Sequence, residues 1–91
     1  MLLAADAAVE AGVTIELGPA KHGAGESFFL YVREPGTQQR IELYSGGYLN
    51  FEPDRPTIVW SVTDTPHPLL AWGGEIPASF GGGRPIAPAR A

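Results

Sequence analysis

The chain has no cysteine, few basic residues and no long apolar run, and each shortage excludes a class of protein. Without cysteine there is neither a disulfide framework nor a thiolate metal site, which is typical of a reducing compartment, so we expect a cytoplasmic protein. Six Lys and Arg against ten Asp and Glu give a net charge of −4, which argues against nucleic-acid binding. The start, MLLAADAAVEAG, has no basic segment and is interrupted by Asp6 and Glu10, so we expect neither a signal peptide nor a membrane span.

The residues that are present indicate one small domain of 91 residues, rich in turn formers, with 12 glycines and 9 prolines. An alanine-rich start predicts a helix, and alternating β-branched and aromatic runs predict strands after it. The fold class is therefore α+β, with a helix packed on an antiparallel sheet of three to four strands. We predict a module over residues 1–62 and an irregular tail over residues 63–91. The predicted elements are helix Leu2–Ala11, loop Gly18–Glu26, and strands Val13–Leu17, Phe28–Arg33, Arg40–Ser45 and Thr57–Val62.

The stretch SFFLYVREPGTQQRIELYSGGY predicts a β-hairpin. If Glu34 and Gln39 close its turn, Tyr31 and Glu42 lie directly opposite each other, with Cβ atoms about 5 Å apart. One face is then apolar and should be buried beneath the helix: Phe28, Leu30, Val32, Ile41 and Leu43. The other face is aromatic and charged: Phe29, Tyr31, Arg33, Arg40, Glu42 and Tyr44.

A carboxylate in the middle of this second strand has two interpretations. Glu42 is either solvated and compensated by Arg33 or Arg40, which would contribute about 0–1 kcal/mol, or it is a metal ligand. A non-haem iron centre commonly uses two histidines and one carboxylate on one face. The chain holds only His22 and His67, both in loop sequence, so a triad of His22, His67 and Glu42 within one chain is the less favoured form of the second interpretation.

Three stretches, GPAKHG, FFLYVREP and QRIELYSGGYL, follow one another along the first half of the chain. In this order they resemble the C-terminal end of type I extradiol dioxygenases, in the vicinal oxygen chelate superfamily, whose members cleave catechols, including dihydroxyphenylacetate, in aromatic catabolism. The resemblance covers residues 2–60, and the later pair Trp72–Gly73 is also similar. It implies that residues 1–62 are a βαβββ module that lacks its first strand.

The resemblance also implies roles for three residues. Glu42 matches the carboxylate metal ligand, Tyr31 matches a tyrosine that hydrogen-bonds near the substrate oxygen, and His22 matches a histidine outside the ligand set that contacts the site. The implied metal is Fe(II), in some members Mn(II), and the implied reaction opens a catechol ring beside one hydroxyl with both atoms of dioxygen incorporated. The polar face of the hairpin would then be the wall of the metal site, where a cation would offset the cost of burying a carboxylate.

The sequence departs from the family pattern at several positions. The hairpin turn is one residue longer, Gln39 replaces a histidine, and Leu17 replaces an arginine found in close relatives, which weakens any inference about an acidic substrate. The arginine of the downstream segment has no evident match near Pro66 and Pro68.

Both histidine ligands of the family lie upstream of the matching region, so the chain holds one of three expected ligands. We therefore expect the isolated chain to be inactive and to need a partner chain, or a second copy, that supplies the missing modules. The alternative is a non-catalytic binding or structural module that pairs with another chain. A third, weaker hypothesis is a glyoxalase-like homodimer with shared metal ligands.

Overall fold

The computed structural model describes residues 1–48 and 51–82. Its three strands form one antiparallel sheet in the order β1-β2-β3. The predicted α+β class is confirmed, and helix–strand–strand–strand is the order expected of a βαβββ module without its first strand. Within the described ranges no helix is long and apolar enough to cross a membrane. The elements are α1 (Leu2–Glu10), β1 (Thr14–Lys21), β2 (Ser27–Arg33), β3 (Arg40–Gly46) and α2 (Ser79–Gly82).

The β2–β3 hairpin has the predicted register. Tyr31 pairs with Glu42 and Arg33 pairs with Arg40, while the Glu34 N–H donates to the Gln39 carbonyl oxygen at 2.9 Å to close the turn. Since side chains alternate along a strand, this register fixes which residues share a face. Tyr31 and Glu42 therefore lie on the same side of the sheet.

The first strand is longer than predicted, because β1 continues to Lys21 through the segment expected to be a loop. Its pairing with β2 is irregular on both sides of Leu17, and such bulges accommodate residues that cannot continue a regular ladder. Pro19 has no N–H to donate. Gly18 has φ +104°, and a Cβ there would come within 2.7 Å of the Phe29 carbonyl oxygen.

The predicted burial of the apolar hairpin face is wrong for three of its five residues. Leu30 and Val32 are buried, but the other three are 39–44% exposed. Helix α1 has only nine residues, its main contacts with the sheet are to β1, and none of its own residues is buried. It therefore does not cover β3, which lies at the far edge of the sheet. The exposed side chains are Phe28, Ile41 and Leu43.

The best-buried cluster lies on the opposite, polar face of the sheet. Phe29 is fully buried there with Leu17 and Ala20, and Tyr31, Leu70 and Phe80 pack against them. Residues from 67 to 80 thus cover part of the face that carries Tyr31 and Glu42. This packing could not be anticipated from the hairpin sequence, because the covering side chains come from a segment without apolar periodicity.

The later part of the chain differs from the predicted elements. Residues 57–62 form no strand in the structure, and Val59 and Val62 are exposed. Further on, Trp72 forms a β-bridge with Lys21. The division of the chain at residue 62 remains a prediction. Of the terminal stretch FGGGRPIAPARA, predicted to be disordered, residues 83–91 lie outside the described part.

Candidate functional site

The hairpin and the loop before it bring three of the predicted site residues together. His22 lies in the turn between β1 and β2, Tyr31 in the middle of β2, and Glu42 opposite it on β3. The Nε2 atom of His22 is 3.7 Å from the Oε1 atom of Glu42. The ring of His22 meets the ring of Tyr31 edge-on, with centroids 6.2 Å apart. An imidazole, a phenol and a carboxylate therefore converge on one side of the sheet.

The ring of His22 is fixed on two sides. It stacks on Phe29 with ring centroids 3.9 Å apart and an interplanar angle of 12°. Its Nδ1–H donates to the carbonyl oxygen of Leu69 at 2.6 Å. A carbonyl oxygen can only accept, so this bond places the proton on Nδ1. The side chain is only 13% exposed, and its Nε2 atom remains directed towards Glu42.

The phenol of Tyr31 is a protonated hydrogen-bond donor at neutral pH. Burial raises the pKa of Tyr31 well above its usual value, and the hydrogen bond to the Glu42 carboxylate and its negative charge raise it further. The edges of two aromatic rings hold the phenol in place, since Phe29 and Phe80 lie with centroids 5.2 and 4.9 Å from that of Tyr31. The site thus offers a positioned O–H group beside a carboxylate.

The carboxylate of Glu42 is accessible to solvent. Its side chain is 34% exposed, and within the described ranges no Lys or Arg forms an ion pair with it. Of the first interpretation, the compensation by Arg33 or Arg40 is therefore wrong, whereas Glu42 is exposed, as that interpretation expects. An uncompensated carboxylate beside a histidine fits one ligand of a divalent cation.

A complete metal site is not present in residues 1–48 and 51–82, where no three His, Cys, Asp or Glu side chains cluster to hold an ion. The triad of His22, His67 and Glu42 is thus wrong as a centre within one chain. His67 instead accepts the backbone N–H groups of Leu69 and Leu70 on its Nδ1 atom, at 3.0 and 3.4 Å.

A second polar cluster on the same face, missed in the sequence, explains why both arginines turn away from Glu42. Glu16, with a fully shielded side chain, accepts hydrogen bonds from Arg33 at 2.7 and 3.0 Å and from Arg40 at 2.6 and 3.3 Å. The hydroxyl of Ser79 also donates to it at 2.6 Å. Burial acts to raise the pKa of Glu16, but these hydrogen bonds outweigh it and lower the pKa to about 2.

The Glu16 cluster also holds α2 against the sheet. The Nη2 atom of Arg40 donates to the carbonyl oxygen of Ser79 at 3.2 Å, and the guanidinium of Arg40 lies 4.2 Å from the ring centroid of Phe80. Phe80 in turn contacts Tyr31. The one signal for this cluster in the sequence is the pairing of Arg33 with Arg40, because two opposed positive charges are stable only with an acidic side chain nearby. That side chain is Glu16, on β1.

Comparison with known proteins gives two relatives. The chain is 46% identical over 77 residues to the manganese-dependent 2,3-dihydroxybiphenyl 1,2-dioxygenase of Geobacillus genomosp. 3, a match covering 84% of this chain and 24% of that protein. It is 40% identical over 68 residues to the metapyrocatechase of Geobacillus stearothermophilus, covering 72% and 20%. The chain thus spans about a quarter or less of the length of these relatives. No family model and no solved structure matches it.

Proposed function

Because the chain belongs to the extradiol dioxygenases, as a C-terminal module of the vicinal oxygen chelate fold, we propose that it forms one wall of a metal centre that opens catechol-type rings with dioxygen. The observation that carries this proposal is the convergence of His22, Tyr31 and Glu42 on one face, with the carboxylate left without a basic partner. The carboxylate is exposed and has no Lys or Arg paired with it in the described ranges, so it is accessible to a divalent cation beside the histidine and the phenol.

Glu42 is the residue of this chain that would hold the metal. One relative is manganese-dependent by name, and the two-histidine, one-carboxylate arrangement is typical of iron, so the proposed ion is Mn(II) or Fe(II). When bound, the metal would supply the positions at which a catechol and dioxygen are brought together. The other metal ligands must come from residues other than His22, Tyr31 and Glu42.

The remaining two residues act on the substrate beside the metal ligand. The Tyr31 phenol donates a hydrogen bond towards developing negative charge on a substrate oxygen, because its raised pKa keeps the proton in place. His22 presents its Nε2 atom, which in the neutral ring accepts a proton or hydrogen bond, since Nδ1–H is engaged by Leu69. Phe29 and Phe80 exclude water from the inner side of both groups.

We further propose that the isolated chain is inactive and works with a partner. One carboxylate holds a divalent ion weakly, because affinity depends on the number and geometry of ligands. The partner would be a segment or chain that carries the two histidine ligands, or another copy of this chain, and the substrates would be a catechol-type aromatic and dioxygen. We propose a cytoplasmic location and no nucleic-acid or membrane partner.

The proposal is tested with a chimera in which the 77 matched residues of this chain replace the corresponding segment of the manganese-dependent relative. We expect the chimera to retain metal and to consume oxygen with a catechol, while the isolated chain does neither. Metal is measured by mass spectrometry of the dialysed protein, and turnover by oxygen uptake. A folded chimera that holds metal but never opens a ring would contradict the proposed function.

Tyr31→Phe in this chimera is expected to keep the metal and to lower kcat by about 10²-fold or more, because only the O–H donor to the reacting oxygens is lost. His22→Ala should likewise slow turnover without releasing metal. Metal content and kcat are measured on the same samples. If His22→Ala empties the site, His22 is a ligand and its assigned role is wrong.

An alternative function is suggested by the surface of β3. All seven residues of this strand except Arg40 are exposed, and Ile41, Leu43 and Tyr44 are among them at 39–68%. Strand β3 is an edge of the sheet, and open apolar edges invite pairing with another strand. The alternative is therefore a non-catalytic module that pairs with another chain through the exposed strand β3.

The purified chain is accordingly expected to self-associate. Sedimentation should show species larger than a monomer that increase with concentration, and the double variant Ile41→Lys/Leu43→Lys should shift the distribution to monomer, because charged side chains block edge pairing. Val59→Lys, at an exposed apolar position outside the sheet, is the control and should leave the distribution unchanged. A single monomer species with a cooperative melt would refute the pairing surface.

A further inference from the structure

A segment beyond the sheet is bonded to the chain on both sides of His22. We call this segment, residues 67–72, the strap. The Lys21 N–H donates to the Trp72 carbonyl oxygen at 3.2 Å, and the Ala71 N–H donates to the Lys21 carbonyl oxygen at 2.7 Å. On the other side of His22, the Ala24 N–H donates to the Pro68 carbonyl oxygen at 2.8 Å. The strap therefore has a fixed position relative to the His22 ring.

The fit between the strap and the His22 turn leaves no room for a side chain at residue 23. A Cβ atom on Gly23 would collide with the carbonyl group of His67, and Gly23 is buried. This close approach brings the carbonyl oxygen of Leu69 within 2.6 Å of Nδ1 of His22. The strap thus supplies the acceptor that places the proton of His22 on Nδ1.

The turn of the strap is held by the ring of His67. Its Nδ1 atom accepts from the N–H groups of Leu69 and Leu70, so in the neutral ring the proton is on Nε2. With both amides bound on one side, the carbonyl oxygen of Leu69 is directed to the other side, where His22 lies. Neither nitrogen of His67 is then free to act as a metal ligand in this arrangement.

We propose that His67 is a positioning residue that acts through Leu69 to set the tautomer and orientation of His22, so that Nε2 faces Glu42. His67 accepts the Leu69 and Leu70 N–H groups, the Leu69 carbonyl accepts from His22, and His22 faces Glu42 at 3.7 Å. Outer partners of this kind orient the groups that act at a metal site. The effect of His67 on the His22 ring does not depend on the proposed function, whereas its effect on turnover rests on that function.

The effect of His67 on the His22 ring is tested on the 91-residue chain. Two variants, His67→Asn and His67→Gln, carry a side-chain amide on stems of different length. In His67→Asn the Oδ1 atom replaces Nδ1 as the acceptor, whereas in His67→Gln the oxygen lies one methylene further out. Both variants leave His22 as the only histidine, so its ring nitrogens are identified without ambiguity by ¹⁵N NMR. We expect His67→Asn to keep the proton on Nδ1 and His67→Gln to give a mixture of tautomers.

Several outcomes would overturn the proposal. It fails if both variants keep the Nδ1 proton, or if both lose it while the Lys21 and Ala24 amides stay protected from exchange. A second perturbation leaves His67 intact. Gly23→Ala pushes the strap away and should also give mixed tautomers, whereas Gly36→Ala in the β2–β3 turn is the control, because Gly36 has no positive φ and a Cβ there would meet only the side chain of Glu34, at 3.3 Å. An unchanged His22 ring in Gly23→Ala would overturn the proposal even if the His67 variants failed to fold.

The functional part uses the chimera described above. His67→Gln is expected to lower kcat roughly tenfold while metal content is unchanged, and His67→Asn should restore most of the rate. In the His22→Ala background, His67→Gln should cost nothing further, because the residue acts through His22. If the unmodified chimera lacks activity, the proposed function fails while the NMR result still decides the role of His67.

Discussion

Glu42→Gln is expected to lower the metal content of the chimera at least tenfold and to abolish ring opening. The amide keeps the size of the side chain but removes the charge that a divalent cation needs. Even partners outside the ligand set commonly cost 10–100-fold in metal affinity when they are lost, so loss of a ligand should cost no less. Metal is measured after dialysis, and turnover by oxygen uptake.

The structure provides matched controls for this variant. Glu42→Asp keeps the charge on a shorter stem and should retain part of the metal. Glu75→Gln makes the same chemical change at an exposed position and should alter neither metal content nor rate. If Glu42→Gln retains the full metal content, Glu42 is not a ligand, and the carboxylate serves only as a hydrogen-bond partner of Tyr31.

Tyr31 and Glu42 could be located from sequence because the hairpin register depends on local rules, whereas His22 was placed beside them only by the resemblance to the dioxygenases. A turn of known length and the two-residue period of a strand are enough to place Tyr31 opposite Glu42, and the structure confirms that pairing. The resemblance to the dioxygenases then supplied the roles of the three residues, which remain proposals.

The surroundings of the constellation could not be predicted, because they depend on contacts between distant segments. Leu69 is 47 residues from His22, and Ser79 is 63 residues from Glu16. Neither lies in a periodic stretch that would indicate its position. The face chosen for burial was wrong at β3 for a related reason: apolar alternation shows which residues share a side, but not how far a nine-residue helix extends across the sheet.

The largest effect on stability is expected from Glu16→Gln. The change leaves Arg33, which is 4% exposed, and Arg40 without their shared counter-charge. Breaking a buried ion pair from one side typically costs about 3–5 kcal/mol, a large share of the roughly 5–15 kcal/mol that holds a domain folded. Urea unfolding followed by circular dichroism should show the loss, while the exposed control Glu75→Gln should stay within about 0.5 kcal/mol of the unchanged chain.

Acid provides an independent check on the role of Glu16. Hydrogen bonds from Arg40, Arg33 and Ser79, acting against burial, lower the pKa of Glu16 from 4.5 to about 2 in the folded chain. A carboxyl with a depressed folded-state pKa stabilises the fold fully above its unfolded pKa, and this contribution is lost as the pH falls through the folded value.

The difference in unfolding free energy between the unchanged chain and Glu16→Gln should therefore be constant above about pH 5 and shrink steadily from pH 4.5 towards pH 2. Glu34, whose pKa is also lowered, by hydrogen bonds from Gly36 and Thr37, is present in both proteins, so its acid dependence cancels in the difference. Urea unfolding at intervals of half a pH unit measures the curve. A difference that does not change between pH 7 and pH 2 would show that the charge of Glu16 is not what stabilises the two arginines and α2.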